Sequence, residues 1–107
     1  YFQSRIDLNE ELIRNPDATF GIWVQGNSMQ GDGIESGDFL LVDRSVSPFD
    51  KALAICVLNN EFTIKRLEKK GNRIRLLPAN AAFPPIVVQE GDELIIWGIV
   101  TYVIKKP

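Results

Sequence analysis

The stretch VQGNSMQGDGI, residues 24–34, places Ser28 between glycines and beside the only methionine of the chain. Gly26 allows the backbone a sharp turn, and a serine at the start of a turn or helix has outward-pointing backbone N–H groups around it. Ser28 is therefore a candidate nucleophile, and the N–H groups of Ser28 and Met29 are candidate donors to an oxyanion. The G-x-S-M pattern is weak by itself, because most serines between glycines are ordinary turn residues.

The base that would activate such a serine is constrained by composition. The 107-residue chain contains no histidine and one cysteine, which excludes Ser-His-Asp triads, Cys-His dyads, the common zinc sites and internal disulfides. A carboxylate or a neutral lysine remains as the base. A lysine would have to lower its pKa from about 10.4 to about 7, which requires about 4 kcal/mol of desolvation or charge repulsion. Only a lysine held against the core meets that requirement.

Lys65 fits this requirement better than the other lysines. It follows the apolar residues FTI in the strand-like run EFTIKRL, whereas Lys51 precedes a strand and is less enclosed. The remaining lysines lie in turns or near the C-terminal end: Lys69, Lys70, Lys105 and Lys106. A lysine in a strand is more often a solvent-facing residue of an alternating pattern, so that alternative stays open here.

The elements that position these residues are mainly β. One short helix is predicted within residues 5–16, with Asp7 as its cap, Glu10 three residues later and Pro16 ending it. Six β-rich runs follow: TFGIWVQ, DFLLVDR, ALAICVL, EFTIKRL, RIRLLP and ELIIWGIVTYVIKK. These runs predict a mainly β domain with one short N-terminal helix.

Turn residues give the connections between these runs. Asn59 and Asn60 tolerate the left-handed conformation of a two-residue hairpin turn, and KKGN at residues 69–72 predicts a second turn. PANAAFPPI, residues 78–86, is typical of an extended loop. Gly98 predicts a bulge or bend in the long apolar C-terminal run, which should be buried or paired with another copy of the chain. Cys56, inside ALAICVL, is expected in the core.

Composition indicates one soluble domain over residues 5–107. The chain is 45% hydrophobic and 24% charged. YFQS at residues 1–4 matches the end of a protease-cleavable tag linker and is left out of functional reasoning. No apolar run is long enough to span a bilayer and no signal peptide is present, so a cytoplasmic location is expected.

Charge is divided unequally along the chain, although the net charge is only −2. Residues 1–50 carry nine acidic and three basic residues, and residues 51–107 carry five acidic and nine basic residues. The basic excess clusters at Lys65, Arg66, Lys69, Lys70, Arg73 and Arg75. A solvated strand-and-turn face is the favoured interpretation, with a patch for an acidic protein or phosphate as the alternative. The net charge argues against general nucleic-acid binding.

Four motifs in register resemble the self-cleaving serine-lysine peptidases of the bacterial DNA-damage response, the LexA and UmuD family. They are the G-x-S-M motif, GIESGDFLLVDRS, the EFTIKRL run with Lys65, and GNRIRLLPANAAFPPI. Lys65 lies 37 positions after Ser28, which matches the family's spacing from nucleophile to base. The lead-in RIDLNEELIRNPDATF and the ending soon after WGIVTYVIKK are more similar to UmuD than to LexA. The resemblance covers nearly the whole chain.

This resemblance implies a compact β-ribbon domain of the LexA and signal-peptidase type, a homodimer, and no metal or cofactor. It implies that Ser28 is the nucleophile, that neutral Lys65 is the general base, and that the Ser28 and Met29 N–H groups hold the oxyanion. The family cleaves its own N-terminal arm, stimulated by a RecA filament. The processed dimer is then an accessory subunit of an error-prone translesion polymerase. Neither membrane binding nor sequence-specific nucleic-acid binding is expected.

Two departures from the family qualify these expectations. Lys51-Ala52 stands where many members have Gly-Asp before the hairpin. The dipeptides cut in the family, Ala-Gly and Cys-Gly, do not occur in the sequence. The chain therefore resembles the cleaved or truncated form, which would act only in trans.

Other functions are considered beside this one. One is the C-terminal dimerisation and autocleavage domain of a LexA-like repressor, and another is a docking module without catalysis. A type I signal peptidase is disfavoured, because that class needs a membrane anchor and a Gly-Asp stretch after the lysine.

Overall fold

The computed structural model describes residues 5–26, 32–78 and 84–107. In these ranges one short α-helix, α1 (Leu8–Leu12), is followed by a 3₁₀ turn at Pro16–Ala18 and seven strands. The strands are β1 (Thr19–Trp23), β2 (Phe39–Asp43), β3 (Leu53–Leu58), β4 (Glu61–Lys70), β5 (Arg73–Leu77), β6 (Ile86–Val87) and β7 (Leu94–Ile104). They form one antiparallel sheet in the order β1-β2-β7-β3-β4-β5-β6. The predicted mainly β fold with one short helix is confirmed.

The N-terminal helix begins where the sequence predicts. The Asp7 carboxylate accepts a hydrogen bond from the Asn9 N–H at 3.0 Å, which satisfies one of the unpaired donors of the first turn. Pro16 lies beyond the helix and opens the 3₁₀ turn, because proline needs no N–H partner there. This segment leads directly into β1.

Residues with positive φ make the tight turns on both sides of β4. Asn59 and Asn60 have φ of 49° and 69°, which confirms the predicted hairpin between β3 and β4. Gly71, with φ of 61°, lies in the turn between β4 and β5. Lys51 has φ of 71°, a conformation that favours glycine, so the loop before β3 keeps a left-handed residue despite the lysine.

β7 occupies the centre of the sheet and carries two irregularities. It pairs with β2 on one side and β3 on the other, which confirms that the apolar C-terminal run is buried by pairing. The register shifts between Ile55 and Cys56 of β3, opposite Trp97 and Gly98. The predicted bulge at Gly98 is thus confirmed, and a β-carbon there would lie 2.5 Å from the Val42 Cγ1 atom.

Two hydrophobic clusters cover the two faces of the sheet, since successive residues of β3 alternate between them. One cluster, which we call the first core, contains Val24, Ile34, Leu40, Val42, Leu53 and Ile55. The second core contains Ala52, Ala54, Cys56, Leu67, Leu76 and Ile99. The Cys56 side chain is fully buried, as predicted.

The region after β5 differs in part from the sequence prediction. Residues 79–83 of the predicted extended loop lie outside the described residues. At the end of that loop, Ile86 and Val87 form β6 and pair with Leu76 and Arg75 of β5. Within the described ranges, no helix has the length and apolarity needed to cross a membrane.

Candidate active site

Of the three predicted site residues, the structure describes one. Lys65 lies in β4, whereas Ser28 and Met29 belong to residues 27–31, outside the described residues. The structure of the site is therefore given by Lys65 and by the described residues before and after Ser28.

Lys65 lies on the face of β4 that carries the second core. It is the register partner of Ala54 in β3, and the alternation of the strand places Thr63 and Leu67 on the same face. Ala54 and Leu67 are fully buried, and Lys65 itself is half-buried. The lysine side chain thus leaves the strand beside apolar surface. The lysine itself remains partly exposed.

Lys65 lies one residue beyond the end of the β4–β5 ladder. The pairing of β4 with β5 runs from Lys70–Arg73 to Arg66–Leu77, so Lys65 is the first residue of β4 beyond it. On its other side β4 remains paired with β3 through Glu61. The backbone at Lys65 is consequently fixed from one side only by these ladders.

The Cys56 thiol is a neutral neighbour of Lys65. Burial raises the pKa of Cys56 to about 11, and the positive charge of Lys65 opposes that rise. The thiol therefore keeps its proton near neutral pH and supplies no anion to hold a lysine in its charged form. Within the described residues, no carboxylate forms an ion pair with Lys65.

The chain between β1 and β2, residues 24–38, carries Ser28, and we call it the Ser28 connection. Its two ends are tied together, because the Val24 N–H donates to the Asp38 carbonyl and the Gly37 N–H donates to the Val24 carbonyl, both at 2.9 Å. Gly26 has φ of 87°, which confirms the sharp turn predicted before Ser28.

The part of this connection after Ser28 is held by burial and charge. Ile34 is 2% exposed in the first core. The Asp38 carboxylate accepts the Glu35 N–H at 2.8 Å and pairs with Lys105, and the hydrogen bond from Lys105 is the main reason that the pKa of Asp38 is lowered. Asp32 pairs with Arg66 of β4 at 3.1 Å. The residues nearest Ser28 on this side thus reach the strand of Lys65.

Val24 and Ile34 pack in the first core, together with Ile55 and Ile64, while Lys65 belongs to the opposite face of the same strands. The Asp32–Arg66 contact lies where the β4–β5 ladder ends. At this end of the ladder, the described part of the Ser28 connection contacts Arg66, the residue that follows Lys65.

An apolar cleft of about 500 Å³ lies beside this region. It is bordered by residues 22–25, which precede Ser28, and by residues 62–64, which precede Lys65, with Ile55 and Trp97 also lining it. Trp23 and Phe62 on its rim are 68% and 70% exposed. The cleft can accept an extended apolar segment.

Sequence reasoning missed one component of the site. The basic cluster, interpreted as a solvated face, is exposed at Lys69, Lys70 and Arg73. Within it, Arg66 also pairs with Asp32, and both Arg75 and Lys70 contact Glu68. Asp32 lies within the motif that drew attention to Ser28, and Arg66 follows Lys65. No local pattern in a single sequence links the two residues.

Comparisons with known proteins agree on one family. A family model described as Peptidase S24-like matches residues 1–101. Protein SamA of Salmonella typhimurium strain LT2 is 42% identical over 106 residues, which cover 99% of this chain and 73% of SamA. Protein MucA of Escherichia coli is 37% identical over 103 residues, which cover 95% of this chain and 70% of MucA. The LexA repressor of Syntrophotalea carbinolica is 41% identical over 86 residues, which cover 80% of this chain and 43% of the repressor.

Proposed function

Because the chain belongs to the Peptidase S24-like family, we propose that it is a serine peptidase with Ser28 as nucleophile and neutral Lys65 as general base. The relatives SamA, MucA and LexA repressor support its place among the self-cleaving proteins similar to UmuD and LexA. The observation that carries the proposal is the position of Lys65, opposite the buried Ala54 and, within the described residues, without a carboxylate partner.

The proposed mechanism is acyl transfer. Lys65 removes the Ser28 proton as Ser28 Oγ attacks the carbonyl carbon of an extended peptide, and the N–H groups of Ser28 and Met29 stabilise the oxyanion. The lysine then gives its proton to the leaving amine, and water releases the acyl group. The buried Ala54 and Leu67 on the same face as Lys65 support this role, since neither offers the lysine a charged partner.

The substrate we propose is an N-terminal arm of another chain, bound in extended form. The cleft between residues 22–25 and 62–64 supports this, since it lies along the part of β4 that precedes Lys65. The dipeptides cut in the family, Ala-Gly and Cys-Gly, do not occur in residues 1–107, so a second chain supplies the arm in the assay below.

The biological role we propose is that of a homodimeric accessory subunit of a translesion polymerase, with a RecA filament stimulating arm cleavage. Residues 5–107 would form one domain of this type. The match with SamA over 99% of this chain supports the UmuD-like context. The second candidate is the C-terminal domain of a LexA-like repressor, supported by 41% identity to a LexA repressor over 80% of the chain.

The dyad is tested by cleavage in trans. The chain is mixed with full-length SamA whose own nucleophile is replaced by alanine, and fragments are followed by mass spectrometry from pH 6 to 10. We expect the rate to rise with pH, and Ser28→Ala and Lys65→Ala to abolish it. Lys65→Arg should also be inactive, because a guanidinium does not lose its proton in proteins.

Lys69→Ala is the matched control, since Lys69 is an exposed lysine of the same strand. It should cleave at the wild-type rate. Activity that survives Lys65→Ala would overturn the dyad, whatever the effect of Ser28→Ala.

A further inference from the structure

A groove of about 690 Å³ is bordered by β4, β5 and β6 and by the start of β7. Its lining combines apolar and cationic side chains. The apolar residues are Ile74, Val87, Val88 and Leu94, and the cationic residues are Lys70, Arg73 and Arg75. We call this site the basic groove. Val87 is 51% exposed, so the groove offers apolar surface and positive charge together.

Positive charge prevails in the basic groove. Glu68 is the one carboxylate of its described lining, and Arg75 Nε donates to Glu68 Oε1 at 2.7 Å. Lys70 lies 4.0 Å from the same oxygen, and its side chain is 78% exposed. Arg73 is exposed and forms no ion pair within the described residues. Glu68 thus neutralises Arg75, whereas Lys70 and Arg73 keep charge that a partner can meet.

Residues 6–13, which we call the N-terminal segment, carry a complementary surface. The segment contains three acidic residues and no basic one. All three are exposed and form no ion pair in the part of the chain that the structure describes: Asp7, Glu10 and Glu11. Ile6 and Leu8 are 65% and 58% exposed, so a single copy leaves them in contact with solvent. The segment therefore presents negative charge beside uncovered apolar side chains.

We propose that the N-terminal segment of one chain docks in the basic groove of a second copy, an inference that rests on the proposed homodimer and not on the dyad. Protein interfaces commonly combine apolar contacts at the centre with polar groups at the rim, and both surfaces have this character. A helix laid with its apolar side chains in a groove is a recurrent mode of recognition. A second copy is favoured over nucleic acid, because none of the described lining residues is aromatic and bases would find no stacking surface.

The positions of the two surfaces allow this contact to form twice in one dimer. The N-terminal segment leads towards β1 at one edge of the sheet, whereas the basic groove lies at β5 and β6, towards the other edge. Two copies related by a two-fold axis can each place their segment in the groove of the other, which closes the assembly as a dimer. The acidic half of the chain, residues 1–50, then meets the basic half of the second copy.

The experiment measures the dissociation constant of the homodimer of the full chain by sedimentation equilibrium. Lys70→Glu with Arg73→Glu, the groove variant, should weaken dimerisation at least about 10-fold, because like charges then face each other. Glu10→Lys with Glu11→Lys, the segment variant, should weaken it similarly. Wild-type affinity should fall when salt is raised from about 0.05 M to about 0.5 M. Thermal unfolding should change little, since all four side chains are exposed.

Mixing the two variants separates this contact from general damage. In the mixed pair, the lysines of the segment variant face the glutamates of the groove variant, and the two unaltered surfaces face each other. The mixed pair should therefore associate with nearly wild-type affinity, although neither variant does so alone. Lys69→Glu with Lys106→Glu is the matched control for charge, because both lysines are exposed and neither is among the described residues that line the groove. It should dimerise as the wild type does.

The outcomes distinguish this contact from the proposed homodimer. If the wild-type chain stays monomeric, the homodimer fails and this inference fails with it. If the wild type dimerises but either the groove variant or the segment variant dimerises normally, only this contact is overturned. It is also overturned if the mixed pair does not associate. A groove variant that keeps dimerisation but loses binding of a single-stranded oligonucleotide would assign the groove to phosphate instead.

Discussion

Lys65 and Ala54 are register partners across the β3–β4 ladder, and the Ala54 side chain is fully buried. A methyl group thus stands where a longer polar residue could have solvated the lysine or paired with it. Thr63, two residues before Lys65 on the same face, is half-buried and has Cys56 as its partner in β3. Position 63 is therefore a place from which the charge near Lys65 can be changed without removing either member of the proposed dyad.

Thr63→Glu should slow cleavage in trans at neutral pH and move the pH–rate profile to higher pH. A carboxylate added beside a lysine favours the charged form of that lysine, so less of the neutral base is present at a given pH. The profile is measured with the SamA variant from pH 6 to 10. Thr63→Gln is the neutral control of nearly the same size, and it should keep the wild-type profile. Equal profiles for the Glu and Gln variants would argue against Lys65 as the base.

The buried Cys56 thiol predicts a loss of stability at high pH. Burial raises its pKa from 9.0 to about 11. Between these values the unfolded chain releases the thiol proton while the folded chain retains it, so folding stability falls as pH rises above about 9. The expected loss between pH 7 and pH 10 is about 1.4 kcal/mol.

This loss is checked by urea unfolding at both pH values for wild type and Cys56→Ala. The alanine variant is less stable at each pH because it leaves a small cavity, but it lacks the thiol's share of the decline. The same decline in both proteins would show that Cys56 does not cause it.

Lys51→Gly should stabilise the fold. At φ of 71°, a residue with a β-carbon is unfavourable by about 1–2 kcal/mol, and glycine relieves this at some cost in unfolded-chain entropy. We expect a net gain of about 0.5–1 kcal/mol in the free energy of unfolding, measured in urea. The carbonyl that accepts from Arg66 is retained. Lys69→Gly, in ordinary strand geometry, should instead be destabilising, and a loss of stability in Lys51→Gly would contradict the prediction.

Gly98→Ala should lower the free energy of unfolding by about 1–3 kcal/mol through overpacking. The new β-carbon would lie 2.5 Å from Val42 Cγ1, and Val42 is fully buried and has little room to move. Val42→Ala removes the clashing methyl group, so the double variant should be more stable than the sum of the single effects allows. Strict additivity of the two effects would show that the predicted clash is absent.

Local sequence patterns predicted the strands well. Alternating and apolar runs bounded by turn residues located six strands, and Asn59-Asn60 placed the hairpin that brings Lys65 opposite Ala54. These features depend on neighbours in sequence, and their physical causes are short-range. The two-residue strand β6 has too few residues to give a pattern, and its pairing with β5 is what defines it.

The same reasoning could not predict how distant segments of the chain are arranged in the fold. Nothing local in the sequence says that β7 lies between β2 and β3, because strand order depends on how distant segments pack. The Asp32–Arg66 pair joins residues 34 positions apart and could not be read from either motif alone. For Ser28 the sequence gives the residue type and spacing, and its role remains a prediction for the cleavage experiment.

The two register shifts in β7 give this strand an unusual property. Its ladder with β3 skips Trp97 and its ladder with β2 skips Thr101, so each side of β7 accommodates one extra residue. Beyond each extra residue, the side chains that would have faced one side of the sheet face the other side. Deleting either one would leave most backbone pairs able to form while exchanging buried and exposed positions along half the strand. The burial pattern therefore depends on the number of residues in β7, and insertions or deletions in this strand should be tolerated far less than in the loops.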